Sequence, residues 1–363
     1  MSDEQYIKLT FELAAKGLGS VSPNPLVGAV LVKDGKIIGK GFHEKFGEAH
    51  AEINAINSAS EKSEGSTLYV NLEPCSHFGK TPPCVDEIIR QKISKVIIAN
   101  RDPNPLVNGK GIKKLEAAGI KVKTGILEDE GTELNKFFFK NQTCKLPYVT
   151  VKIAQTLDGR IAGTDRSSKW ITSEASRKIV HKMRSEYDAI LVGKNTILSD
   201  NPSLNVRLVE GRNPVKIALD KNLEIPLTSK IFKNVSGSKT IIAASSKSFF
   251  QEDEQVKNYS GIAEIIFVKE DESGGLNILD VLEKLYSKGI TSVIVEGGGK
   301  VFSSFINKNL YDEIYLFTGP KILGSGISSV NKNGFVNISD SINLKLKSIE
   351  QIDGDALLIY GRE

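Results

Sequence analysis

The sequence predicts an α/β protein of two domains, and three observations carry that expectation. The chain has 363 residues, more than one ordinary hydrophobic core organises. Short runs rich in Val and Ile alternate with segments of helical period through both halves. Between the halves, the polar run Asn141-Gln142-Thr143 ends a helical pattern and Leu146-Pro147 opens a new strand, which divides the chain into 1–145 and 146–363.

Taken in order, residues 4–18 read as an amphipathic helix, since Glu4, Lys8 and Glu12 are interleaved with apolar positions. The apolar run 26–32 is a strand, Asp34-Gly35 a tight turn, and 37–42 the returning strand. A helix over 48–60 precedes a buried strand at 67–72. Pro82 and Pro83 stand just before a helix over 84–91, where proline is tolerated because its missing N–H has no partner to lose. Then come a strand at 96–99, a helix at 111–118, a short strand at 120–123 and a helix at 128–140. Strands separated by helices imply a sheet with helices on its faces. In the second half, 148–154, 189–192, 215–219, 240–244, 265–268, 292–296 and 313–317 read as strands. Helices fit 173–186, 276–288 and 299–307, and the last 25 residues read as a closing hairpin.

Composition excludes several classes. Apolar residues make up 40% and charged residues 25%, the balance of a globular protein. The formal charge of +4 with no dense Lys/Arg block argues against nucleic acid as partner. The longest clearly apolar stretch, 26–32, is too short to cross a bilayer, and the charged start is no signal peptide. Three cysteines, Cys75, Cys84 and Cys144, are too few and too odd for a disulfide framework and fit a reducing cytoplasm. A homo-oligomer is compatible with the sequence, which does not fix the state.

The sharpest chemical signal is His50-Ala51-Glu52, followed by Pro74-Cys75 and Pro83-Cys84. One imidazole and two thiolates suit zinc and leave the fourth tetrahedral position for water. The two thiolates cancel the formal charge of the metal, so a base must help, and Glu52 is the candidate to take a proton from the water and hand it to a leaving amine. There is a geometric condition: positions i and i+2 on a helix lie roughly 200° apart. His50 and Glu52 serve one site only if the metal sits at the helix end. Cys84 at a helix start is well placed for a thiolate.

H-x-E with paired cysteines resembles the zinc nucleobase and nucleotide deaminases. Eight residues separate Cys75 from Cys84, and that insert, Ser76-His77-Phe78-Gly79-Lys80-Thr81-Pro82-Pro83, resembles the bifunctional deaminase–reductases of riboflavin biosynthesis. Pro23-Asn24-Pro25-Leu26-Val27-Gly28 and Asp102-Pro103-Asn104-Pro105 match the same family, and the resemblance spans essentially the whole chain. It implies a cytidine-deaminase-like three-layer α/β/α domain followed by a dihydrofolate-reductase-like α/β domain. It implies as first substrate a diaminopyrimidinone bearing a phosphoribosylamino group, read by Asn24, His43, His77 and Lys80.

Three later segments extend the resemblance: Lys152 to Ala162, Ser199 to Arg207, and Val295-Glu296-Gly297-Gly298-Gly299-Lys300-Val301-Phe302. In the last, a strand ends in three glycines before a helix, so free amides at the helix start attract phosphate. By the resemblance this half uses NADPH to reduce the opened ribosyl imine to ribityl. Lys152 and Asp200 would lie at the reacting sugar. Arg184 and Arg207 are candidates for the phosphate, with Ser168, Leu204 and Glu296 as further substrate positions. The cofactor positions carried over are Ala154, Trp170, Thr196, Asp200 and the turn Gly298, Gly299, Lys300, Val301, Phe302, Ser303 and Ser304. Lys221 stands where some members have Ser, and a lysine suits the extra phosphate of NADPH. Two rivals differ in what they require: a nucleic-acid-editing deaminase with a noncatalytic C-terminal domain needs a basic, aromatic strip, and a binding protein with structural zinc needs a fourth protein ligand.

Overall fold

The computed structural model describes every residue except 79–81, 106, 234–236, 331–336 and 363. It comprises two compact units, Met1–Lys145 and Leu146–Glu363.

In the first unit the order is α1 (Asp3–Ala15), β1 (Gly28–Lys33), β2 (Lys36–Phe42), α2 (Ala51–Asn57), β3 (Thr67–Leu72), α3 (Cys84–Arg90), β4 (Lys95–Asn100), α4 (Lys110–Ala117), β5 (Lys121–Thr124), α5 (Glu128–Leu134) and α6 (Lys136–Cys144). Ser2 and Gln5 form a capping box that starts α1. The sheet runs β2-β1-β3-β4-β5, antiparallel across its first two pairings and parallel across the rest. Period-2 alternation sorts each strand between two cores. Ala29, Leu31, Leu68, Val70, Val96 and Ile98 pack with Ala51 and Ala55 of α2, Val85 and Ile88 of α3, and Ile112 and Leu115 of α4. Val30, Val32, Tyr69, Ile97 and Ala99 pack with Tyr6, Ile7 and Leu13 of α1. The result is helix, sheet, helix.

Two expectations need correction here. The helix read at 48–60 begins only at Ala51, with His50 as its N-cap in extended backbone. The single helix read at 128–140 is two, broken at Asn135. The reason is a tertiary bond: Asn135 turns its amide inward, accepting from Leu26 N–H at 2.8 Å and donating to Leu26 C=O at 2.9 Å.

In the second unit the order is β6 (Tyr148–Thr156), β7 (Arg160–Ala162), α7 (Glu174–Glu186), β8 (Ala189–Gly193), α8 (Lys194–Asp200), β9 (Val215–Leu219), β10 (Thr240–Ser245), α9 (Glu254–Lys257), β11 (Glu264–Val268), α10 (Ile278–Ser287), β12 (Ser292–Val295), α11 (Gly299–Asn307), β13 (Glu313–Gly319), β14 (Ile327–Ser328), β15 (Leu344–Ile352) and β16 (Asp355–Arg362). Among the described residues, nine strands form one sheet, β11-β10-β9-β8-β12-β6-β13-β16-β15. It is parallel except for the terminal hairpin β15–β16 and its pairing with β13. Val151, Leu191, Ile217, Val293 and Val295 pack against Val281 and Leu285 of α10 and Phe302 and Phe305 of α11. The parallel register brings the ends of β6, β8 and β12 to one edge, the usual place for a ligand in such a sheet. Short α8, α9 and the β7–β14 ribbon add to the elements read from periodicity, being too brief to show a period.

Candidate active sites

In the first unit, His50, Cys75 and Cys84 converge, their donor atoms all within 4.8 Å of one another. His50 Nδ1 stands 3.2 Å from Cys84 Sγ and 3.5 Å from Cys75 Sγ. Ligands about 2.0–2.3 Å from zinc in a tetrahedron lie about 3.5 Å from each other, so this donor set fits the ion. His50 caps α2 while Glu52 sits in its first turn, which meets the condition that both reach a site at the helix end. Cys75 follows β3, and Cys84 opens α3 behind Pro83. The free amide at that helix start is not directed at Cys84's own sulfur. Cys84 N–H donates to Cys75 Sγ at 3.3 Å. A bond from the Cys84 thiol, with this N–H behind it, holds Cys75 well below the ordinary thiol range, while Cys84 is pushed up by the same bond and by burial.

Glu52 is buried, and burial, reinforced by the Cys75 charge, pushes its carboxyl up to about 7. A carboxyl near neutrality both takes and returns a proton readily. His43 is also buried, which lowers its basicity. Its Nδ1 approaches Ala49 C=O at 3.1 Å, so Nδ1 carries the hydrogen and Nε2 accepts from Asn24 Nδ2 at 3.0 Å. That leaves Asn24 Oδ1 as an acceptor for a ligand. His77 is exposed, and Lys80 lies outside the described residues.

Three buried groups that sequence reasoning missed hold this site in place. Asn71 donates to Leu26 C=O and accepts from Gly28 N–H, both at 2.8 Å. Asn135 clamps Leu26 as described, so both amides fix the strand entry carrying Asn24. Glu73, just before Pro74-Cys75, accepts from Gly109 N–H at 2.9 Å and Gly111 N–H at 3.1 Å. It thereby ties the cysteine segment to the start of α4. Glu73 also accepts from Asp102 N–H at 3.4 Å, and burial, then the Glu73 and Cys75 charges, push Asp102 up to about 7. Asn71 and Asn135 fall inside stretches read as a strand and a helix, where nothing in the period marks them as supports; only the adjacency of Glu73 to Pro-Cys was a signal.

In the second unit a cavity of 770 Å³ gathers most of the residues expected there, including Lys152, Ala154, Ser168, Trp170, Arg184, Thr196, Asp200, Leu204, Arg207, Glu296 and Gly298 to Phe302 with Ser304. Ser303 is instead buried under the turn, its hydroxyl donating to Gly299 C=O at 2.5 Å. Gly298, the N-cap of α11, has φ 73°, and a Cβ there would stand 3.2 Å from Thr196 Oγ1. A Cβ on Gly297 would strike Val192 at 2.7 Å, so this turn requires glycine for its backbone and its closeness to β8.

In the lining of the same cavity Arg184 grips Glu296 in a fork, Nε to Oε1 at 2.6 Å and Nη2 to Oε2 at 2.8 Å. Burial alone would raise Glu296, but the Arg184 charge and its bonds hold the carboxyl at about 2. Lys152 Nζ lies 3.8 Å from Glu296, and burial lowers its basicity. Ser168 Oγ donates to Asp200 at 3.3 Å. His181, also missed, accepts Arg207 N–H on Nδ1 at 3.2 Å; burial, then Arg184 and Arg207, push it down to about 4 and keep it neutral. Lys221 donates to Gly274 C=O at 2.7 Å and pairs with Glu270 at 3.1 Å. Cys144 is exposed at the end of α6, away from the ligand set.

Comparison with known proteins places these two sites in one lineage. Residues 147–358 match the RibD C-terminal domain, and residues 1–100 match the cytidine and deoxycytidylate deaminase zinc-binding region. The chain is 44% identical to the riboflavin biosynthesis protein RibD of Aquifex aeolicus, over 99% of this chain and 98% of that one. It is 42% identical to RibD of Bacillus amyloliquefaciens, over 98% and 95%. A crystal structure of a diaminohydroxyphosphoribosylaminopyrimidine deaminase/5-amino-6-(5-phosphoribosylamino)uracil reductase from Thermotoga maritima is 41% identical, covers 99% of both chains and superposes with a TM-score of 0.87. Acinetobacter baumannii RibD is 35% identical over 99% of both chains, with a TM-score of 0.89. A zinc-site geometry in a deaminase-like sheet, joined in one chain to a reductase-type sheet with a glycine turn, therefore has a plain ancestry: the chain belongs to the RibD family of riboflavin biosynthesis proteins.

Proposed function

We infer that the chain is a bifunctional enzyme of riboflavin biosynthesis, with a zinc-dependent deaminase in residues 1–145 and an NADPH-dependent reductase in residues 146–363. The observation that carries it is the convergence of His50, Cys75 and Cys84 beside the buried carboxyl of Glu52. The substrate is 2,5-diamino-6-(5-phosphoribosylamino)pyrimidin-4-one, and deamination precedes reduction. His50, Cys75 and Cys84 would hold a zinc ion, which would supply a Lewis acid for the attacking water. Glu52 takes the proton of that water and delivers it to the ring 2-amino group, which leaves as ammonia. Asn24 reads the ring edge through Oδ1, held by His43, while His77 and Lys80 serve the ribose phosphate.

In the reductase, bound NADPH would supply the hydride for C1 of the opened sugar. Lys152, poorly solvated and facing Glu296, handles the proton or the ring-opened hydroxyl. Asp200, bonded to Ser168, borders sugar and nicotinamide. Arg207, Arg184 and the backbone at Leu204 address the phosphate. Trp170, Ala154, Thr196 and the turn from Gly298 to Ser304 would hold the cofactor, the free amides at the start of α11 being suited to phosphate. Lys221 serves the additional phosphate of NADPH from its place at the cavity wall. Among the described residues no helix is long and apolar enough to cross a membrane. The reading further places the enzyme in the cytoplasm, acting on a small phosphorylated pyrimidine and not on nucleic acid.

The test is a coupled assay on that diaminopyrimidinone, following ammonia and NADPH separately. The reading predicts one ammonia released per NADPH consumed, with ammonia first. Deamination of oligonucleotides without NADPH consumption would overturn it.

A further inference from the structure

We propose that Arg177 is a substrate-recognition residue of the reductase site, forming with Arg207 the clamp for the substrate phosphate. The proposal rests on the reductase reading above and deepens it.

Helix α7 carries Arg177, His181 and Arg184 at i, i+4 and i+7, so the three share one face, and all three line the cavity. They are not equivalent cations. Arg184 is bound to Glu296 through two nitrogens, and its Nη1 donates to Asn205 C=O at 3.2 Å. Part of its charge is met by that carboxylate before any ligand arrives, which makes Arg184 a weaker phosphate contact than an unpaired arginine, and Lys152 stands 3.8 Å from the same carboxylate. His181 has its Nδ1 lone pair on Arg207 N–H and contributes no charge.

Arg177 and Arg207 differ. Neither forms an ion pair with a carboxylate among the described residues. Arg177 makes one bond, Nη1 to Thr172 C=O at 2.8 Å, which leaves most of its donor fork free. Its guanidinium lies over the Trp170 ring, 4.3 Å from the centroid. A guanidinium held over a ring face loses freedom but keeps N–H groups for a ligand, so the fork is pre-set for a pair of anion oxygens. Arg177 and Arg207 line the same cavity; burial, then the Arg184 charge, weaken the hold of Arg207 on its proton, Glu296 opposing them and Arg177 adding to them. Two guanidinium groups lining one space, neither of them ion-paired to a carboxylate among the described residues, constitute an anion site, and the doubly charged phosphate of the substrate is the anion that the reaction brings.

The competing assignment is that Arg177 serves only the cofactor, by holding Trp170. Steady-state kinetics on the full-length protein separates them, using the deaminated substrate with and without its phosphate. Arg177→Gln, which retains the stem against Trp170, is expected to raise KM for the phosphorylated substrate about tenfold or more, since the lost contact is charge-assisted. KM for the dephosphorylated form and for NADPH should stay within about twofold, and Arg177→Lys should recover part of the loss. Inorganic phosphate should inhibit the native protein competitively and the Arg177→Gln variant far more weakly. An equal rise for both substrate forms, or a rise in KM for NADPH alone, would overturn the clamp. Failure of the native protein to consume NADPH with either substrate would overturn the reductase reading and the clamp together. Should Arg177→Gln fail to fold, an Arg177→Lys variant that discriminates the two substrate forms as the native protein does, yet binds NADPH more weakly, would also refute the proposal.

Discussion

Replacing Asn135 by alanine removes the amide that clamps Leu26, and the cost follows from the bonds. Leu26 C=O keeps its bond from Asn71, but Leu26 N–H loses its acceptor. Both residues are buried. An orphaned buried N–H costs about 1–3 kcal/mol, and the lost second bond to the carbonyl about 0.5–1.5 kcal/mol. The deaminase unit should therefore lose about 2–4 kcal/mol. With a urea slope of about 2 kcal/mol per molar, its midpoint falls by about 1–2 M. The chain has one tryptophan, Trp170, and it lies in the second unit. Tryptophan fluorescence thus follows the reductase unit while residual ammonia release follows the deaminase unit. Only the second transition should move. Because Asn24 lies two residues before Leu26, the variant should also show a raised KM for deamination at low urea. A deaminase midpoint unchanged to within about 0.3 M, a shift of well under 1 kcal/mol, would refute the clamp as an energetic element. So would an equal shift in the fluorescence transition.

Other perturbations reach other parts. Glu52→Gln should retain zinc by metal analysis and lose about 10²–10⁴-fold in ammonia release, while NADPH-dependent reduction of predeaminated substrate persists. Gly298→Ala forces a side chain onto a backbone at φ 73° beside Thr196, so NADPH affinity in a fluorescence titration should fall while deamination is unaffected. His181 has its folded pKa depressed from 6.5 to about 4, so its contribution to stability is whole above pH 6.5 and lost as pH falls toward 4. With allowance for solvent screening of its cationic neighbours that amounts to about 2 kcal/mol, and His181→Gln should flatten the melting temperature of the reductase unit across that window.

The elements of the fold were legible wherever apolar residues kept a period long enough to count. Strand 67–72 and helix 299–307 coincide with β3 and α11 for that reason. Helix 128–140 did not survive because its period runs straight through Asn135, and what breaks it is Leu26, 109 positions away. Residue types with distinctive chemistry stood out as well: with four histidines and three cysteines in the chain, the order His50, Cys75, Cys84 is conspicuous, and their donor atoms lie together in the structure. The supports did not. Asn71, Glu73 and His181 act through hydrogen bonds to backbone brought near by folding, which leaves no trace in local spacing. Arg177 and His181 lay within a helix already read at 173–186, and their spacing from Arg184 marks one face. Only the cavity says which face is the functional one.

The zinc K-edge absorption spectrum of the full-length protein bears most directly on the metal centre from which the deaminase chemistry is argued. Two sulfurs at about 2.3 Å, one imidazole nitrogen at about 2.0–2.1 Å and one light oxygen that changes when a substrate analogue binds are the expected shell. Four protein ligands with no exchangeable position, or no zinc bound stoichiometrically, would contradict it.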